Sequence, residues 1–92
     1  MPIDDLMDLL EVTTHRLAKQ YEEVALDQGA YHRQFWHTWQ QLPAEMSIAA
    51  LNRECEMECR VLNEALILSR AVLESMLAKR DALVAILSAR AK

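Results

Sequence analysis

From Ala44 to Lys92 the chain contains neither glycine nor proline. Ala, Leu, Glu, Met and Arg dominate that stretch, and all are good helix formers. It therefore predicts a long helix over about 44–90. Unbroken, such a helix extends roughly 70 Å at 1.5 Å per residue. A compact monomer of this chain length is only about 30–35 Å across. The molecule is expected to be elongated rather than globular.

The first half predicts two further helices. Ile3, Leu6, Leu10, Leu17, Tyr21 and Val24 recur at spacings of three, four or seven, the period of one helix face, over about 4–28. Asp4, Asp5 and Asp8 fall in its first turns, where negative charge complements the helix dipole. Gly29, the only glycine, predicts a break or a C-cap. An aromatic helix then covers about 30–41, with Tyr31, Phe35 and Trp39 four apart on one face. Pro43 disfavours helix at Leu42 and suits the first turn of a new helix. The sharpest corner is expected at Leu42–Ala44.

Composition narrows the class. Of the 92 residues, 52% are hydrophobic and 26% charged, too apolar for a disordered tail. The length fits a single domain, residues 1–92. No run of eighteen uncharged apolar residues occurs, and Met-Pro-Ile-Asp-Asp lacks the basic-then-apolar order of a signal peptide. Cys55 and Cys59 are too few for a disulfide framework and suggest a reducing, cytoplasmic setting. The net charge of −4 gives no long-range attraction to phosphate backbones.

The long helix carries two distinct stripes. Stepping 100° per residue from Leu62, the residues Leu62, Leu66, Leu73, Met76, Leu83, Val84 and Leu87 lie within about 60° of each other's mean direction. Ala71, Ala78, Ala82, Ala85 and Ala89 cluster on nearly the opposite side. A hairpin partner can cover the Leu/Met stripe but not the alanines as well. Small residues let another helix approach closely, so these five alanines are the expected oligomer interface. The fold class that follows is all-α: a long antiparallel helical hairpin of about three helices, assembling into a helical homo-oligomer. Folded at Leu42–Ala44, the hairpin brings together residues whose numbers sum to about 87. Asp4, Asp5 and Asp8 are then expected to form ion pairs with Lys79 and Arg80.

Candidate chemistry is sparse. Cys55 and Cys59, four apart, face the same way on a helix and could offer two metal ligands. Both also fall on the apolar stripe, where free cysteine packs as a small hydrophobe. Neither a metal site nor a cofactor is expected. His15, His32 and His37 form no recognisable ligand set, and the glutamates lack the Glu-x-x-His pattern of di-metal bundles. With a single glycine there is no phosphate-cradling or oxyanion-stabilising loop, so no catalytic residue is expected. For ligand or nucleic-acid binding, Arg33 and Trp36 are the members of the aromatic stretch expected to face outward. Arg53 and Arg60, seven apart, share a face that could meet a nucleic-acid backbone. The acids between them fit ordinary helix-surface pairing instead.

The order of features from Tyr21 to Ile86 resembles small all-helical phage proteins of the UvsY recombination-mediator type. The similar parts are Tyr21-Glu22, the aromatic helix ending in Trp39, the Ala/Glu/Arg stretch Glu45 to Ala65, and Leu73-Glu-Ser-Met-Leu-Ala-Lys-Arg-Asp-Ala-Leu-Val-Ala-Ile86. The resemblance implies a ring-forming mediator that binds single-stranded DNA and helps to load a recombinase. The DNA-binding helix of those proteins is rich in Lys and Arg, whereas the matching stretch here sets Arg53 and Arg60 among glutamates.

The leading expectation is a non-enzymatic, oligomeric helical binding protein whose partner is a second copy of itself, with single-stranded DNA and a recombinase as further partners. A second reading is a small viral antagonist of host defence, acting in the host cytoplasm. It would occlude a defence protein, or sequester a signalling nucleotide between subunits at Tyr31, His32, Arg33 and Trp36. A third is a plain coiled-coil assembly module. None of these readings calls for a membrane.

Overall fold

The computed structural model describes residues 1–91 and is all-helical: α1 (Ile3–Gln41), α2 (Ile48–Glu58) and α3 (Arg60–Arg90). Helix α1 runs out, the chain turns at 42–47, and α2 with α3 returns along it. The result is a rod of 66 × 18 × 16 Å. No helix among the described residues is long and apolar enough to cross a membrane.

The break expected at Gly29 is absent, so the two expected N-terminal helices, about 4–28 and 30–41, form one helix of 39 residues. Gly29 does not take a positive φ, and no capping geometry is used there. What its missing side chain provides is room. A Cβ at this position would lie 3.1 Å from Arg33 Nη1, because that guanidinium folds back along the helix over Gly29.

The return strand differs from a continuous helix over 44–90 at two places. Pro43 does not begin a helix; Met46 N–H donates to the Pro43 carbonyl in a turn (3.2 Å). Helix starts only where Ser47 can cap it, its Oγ accepting from Ala50 N–H at 3.2 Å. Further on, Cys59 departs from helical geometry (φ −94°, ψ 7°) and separates α2 from α3. The reason lies in the spacing of the inward residues. Leu51, Cys55 and Cys59 step by four and four, whereas Leu62, Leu66, Ser69, Leu73 and Met76 alternate four and three. An extra step of four is a stutter, and the helix unwinds locally to keep its seam on the partner.

The seam on α1 has the same alternation: Leu6, Leu10, Thr13, Leu17, Gln20, Val24 and onward to Thr38. Thr13, Gln20 and Thr38 are buried there, as is Ser69 opposite. Each has a partner. Thr13 Oγ1 donates to the Leu9 carbonyl (2.8 Å), and Gln34 Nε2 donates to Thr38 Oγ1 (3.2 Å). Gln20 Nε2 donates to the Ser69 carbonyl at 2.7 Å, while Ser69 Oγ donates to the Leu66 carbonyl. No buried side-chain nitrogen or oxygen among the described residues lacks a hydrogen bond. Because the Gln20 bond crosses between helices, it selects one register.

That register corrects the expected one. Residue numbers sum to 89 at Gln20–Ser69 and 90 at Tyr31–Cys59, where Cys59 Sγ lies 4.0 Å from the Tyr31 carbonyl. The sum is 91 at Met1–Arg90, where Arg90 donates to the Met1 carbonyl. The six-residue turn, longer than the expected corner, accounts for the shift. The expected ion pairs of Asp4, Asp5 and Asp8 with Lys79 and Arg80 do not form. Arg80, half-buried on the seam, reaches its own neighbour Asp81 instead (3.1 Å). Ile3, Tyr21 and Val84, expected on the covered stripes, are exposed.

Two substitutions test this account by urea denaturation at fixed protein concentration. Gln20→Ala removes the inter-helix hydrogen bond and should cost about 1 kcal/mol. Gly29→Ala should stabilise by about 0.5–1 kcal/mol, since the exposed tip of Arg33 can swing aside and a helical glycine is replaced by the best helix former.

Candidate functional site

Two helices side by side shield one seam each, and the rest of each perimeter meets water. Among the described residues, fifteen large hydrophobic side chains are exposed, against seven buried hydrophobic ones. Exposed large hydrophobic residues occur on both long helices, and α3 adds a strip of small ones. Ala71, Ser75, Ala78, Ala82, Ala85 and Ala89 step by four and three along its outer face, and all are exposed. Val61 (76% exposed), Leu68 (67%), Val72 and Ile86 stand beside them. The outer row of α1 is different, reading Asp8, His15, Glu22, Gly29 and Trp36 at steps of seven. The strip on α3 is therefore of small residues, whereas the outermost row of α1 mixes charged residues with Trp36.

Apart from Tyr21, the aromatic residues gather toward the turn. Ring centroids lie 6.0 Å apart for Tyr31–Phe35, 6.3 Å for Phe35–Trp39 and 5.9 Å for Trp36–Trp39. Tyr31, Phe35 and Trp39 are half-buried, while Trp36 is 59% exposed. Tyr31, His32, Phe35 and Trp36 line a shallow cavity of about 380 Å³. Arg33, Arg53 and Arg60 are exposed and do not line it. Arg33 lies over Gly29, and Arg60 pairs with Glu64 at 3.3 Å. No hydrogen bond or ion pair brings Arg33, Trp36, Arg53 and Arg60 together into one site.

Cys55 and Cys59 are fully buried at the junction of α2 and α3, with free thiols. Burial pushes the Cys55 thiol up, with Glu54 adding to the effect. Burial does the same at Cys59, helped by Cys55 and Glu58. The Tyr31 hydroxyl is raised too, first by burial and then by Cys59, Glu56 and Cys55. Neutral, inward-facing thiols suit packing and are poor nucleophiles. Beside them, His37, Glu54 and Glu58 line a cleft of about 340 Å³. No group of three or more His, Cys, Asp or Glu among the described residues is placed to hold a metal ion.

One further opening has no counterpart in the sequence expectations. At the end of the rod that holds both termini, Ile3, Met7, Leu10 and Leu87 line a groove of about 680 Å³ edged by Asp8, Glu11 and His15. Its signal was present as two parallel rows, apolar at 3, 7 and 10 and acidic at 4, 8 and 11. The helical spacing instead predicts Ile3 on the hairpin seam. Comparison with protein-family models, curated proteins and solved structures finds no match for the chain.

The raised thiols give a pH dependence with a definite sign. A group held protonated in the folded state contributes stability below its unfolded pKa and loses it as pH rises toward the folded value. Stability should therefore be flat through neutrality and fall above about pH 8.5, the ordinary thiol range. In the Cys55→Ala/Cys59→Ala protein that alkaline fall should shrink, leaving the contribution of Tyr31. Urea melts at pH 7 and pH 9.5 measure the difference; an unchanged fall would contradict the assignment.

Proposed function

We propose that this chain is a non-enzymatic helical binding protein that works as a homo-oligomer, with copies meeting along the alanine face of α3. The observation that carries the reading is the surface left uncovered. The chain exposes 6850 Å², whereas a compact folded monomer of 10.6 kDa exposes roughly 5,500 Å². The excess, about 1,400 Å², is larger than the roughly 800 Å² that each partner contributes to a standard interface. Alanine and serine along Ala71–Ala89 allow close helix approach, and Leu68, Val72 and Ile86 would supply the apolar burial at its margin. Two hairpins packed in this way place α3 against α3 with an α1 helix on each far side, a four-helix layer. The back of α1 then remains on the outside.

The resemblance to phage recombination mediators adds single-stranded DNA as a partner within this reading. Trp36, free to stack on a base, and the exposed Arg33, Arg53 and Arg60 are the residues that would serve it. The chain's charge of −4 and the Arg60–Glu64 pair weigh against strong binding. Occlusion of a host defence protein needs the same assembly and has no separate observation in its favour.

Self-association makes the melting temperature depend on concentration, because only the folded protein associates. The Tm of the intact chain should rise over a hundredfold increase in concentration. Ala78→Arg/Ala82→Arg places two long cations on the proposed interface and should abolish that rise. The same pair of changes at Glu22 and His15, on the back of α1, should leave it in place. A Tm independent of concentration in the unmodified chain would reject the reading.

A further inference from the structure

The groove at the termini combines two features that the α3 interface does not use. Ile3, Met7 and Leu10 form an apolar row on α1, closed on the other side by Leu87. Met7 is 57% exposed and Ile3 46%. One residue further on, Asp4, Asp8 and Glu11 repeat the same spacing, so a carboxylate row runs alongside, rotated by about 100°. Among the described residues, the ion pairs are Arg60–Glu64 and Arg80–Asp81, so neither Asp4, Asp8 nor Glu11 is paired. Lys79 and Arg80, expected to pair with Asp4, Asp5 and Asp8, do not, and Arg80 reaches Asp81 instead.

The geometry points to this groove as the docking site for a basic amphipathic helix of another protein. The acidic run ends at His15, so groove and rim together accommodate about three helical turns, roughly 17 Å. The incoming helix would seat an apolar row spaced three and four on Met7, Leu10 and Leu87, and set Lys or Arg against Asp8 and Glu11. Other occupants fit less well. An anionic lipid surface would be repelled by the carboxylate row. A second copy paired symmetrically here would oppose two acidic rows. The alanine strip of a second copy has side chains too short to fill a cavity of about 680 Å³.

The test uses the full chain and a fluorescent helical peptide of about 14 residues, with leucines at spacings of three and four flanked by lysines. Anisotropy should show binding at least about tenfold tighter than for the same peptide with serines in place of leucines. Affinity should fall several-fold between about 50 and 300 mM salt, where exposed charges become screened. Asp8→Lys/Glu11→Lys and, separately, Met7→Glu should each weaken binding by about tenfold or more with helicity and assembly mass unchanged. Ala78→Arg/Ala82→Arg should bind the peptide undiminished, so failure of self-association and failure of docking are distinguishable. Absence of binding at low salt, equal binding of the serine peptide, or equal binding by the Asp8→Lys/Glu11→Lys protein would overturn the proposal. So would a drop in assembly mass on Met7→Glu, which would assign the groove to contact between copies.

Discussion

A pair of helices offers each member only one neighbour, and the whole molecule is shaped by that shortage of cover. A rod 66 Å long and less than 20 Å thick has no interior beyond the seam between α1 and the returning α2–α3 strand. Leu6, Leu17, Leu51, Leu66 and Leu83 are buried in it, together with the two cysteines. Everything else apolar lies at its margins or outside. A further helical pass from the same chain would have closed the core; among the described residues α2 and α3 share a single return pass along α1.

Within that seam, polarity does what bulk hydrophobicity cannot. An all-leucine seam would tolerate sliding by one heptad, because each repeat looks like the next. Thr13, Gln20, Ser69 and Thr38 break that equivalence, and Gln20 finds the Ser69 carbonyl at one offset only. A buried polar group that fixes register at some expense of stability is a recurrent device in coiled coils. Here it also decides what the termini look like. With the numbers of facing residues summing to 89–91, Lys79 and Arg80 stand opposite residues 9–12 rather than Asp4, Asp5 and Asp8, and among the described residues no ion pair reaches the carboxylates beside the apolar groove.

Helicity, the hairpin and its length were legible in the residues, because helix formers without breakers and a proline corner leave few alternatives. The inward stripe Leu62–Leu66–Leu73–Met76–Leu87 and the exposed alanines opposite were legible too, since 100° per residue is a strong rule on a long helix. Three features escaped. Gly29 looks like a punctuation mark, yet packing along the seam carries the 39-residue helix through it. The polar half of the α1 seam was invisible to a search for apolar periodicity. The register was missed by a few residues because the turn was placed at Pro43, whereas Ser47 supplies the cap that starts α2. A small error there moved every expected cross-helix ion pair.

The α3 face and the groove at the termini differ in chemistry, and the two proposals rest on that difference. One is a strip of small residues over about five turns with apolar side chains and Lys79 at its margin, suited to a close neighbour. The other is an open cavity with an acidic rim, suited to exchange. The claim beneath both is that a single hairpin is an incomplete unit. Sedimentation equilibrium of the intact chain over a wide dilution series examines it most directly. The account predicts a mass that is a small-integer multiple of 10.6 kDa, persisting into the low micromolar range. A stable, fully helical particle of one chain's mass at every concentration would contradict it.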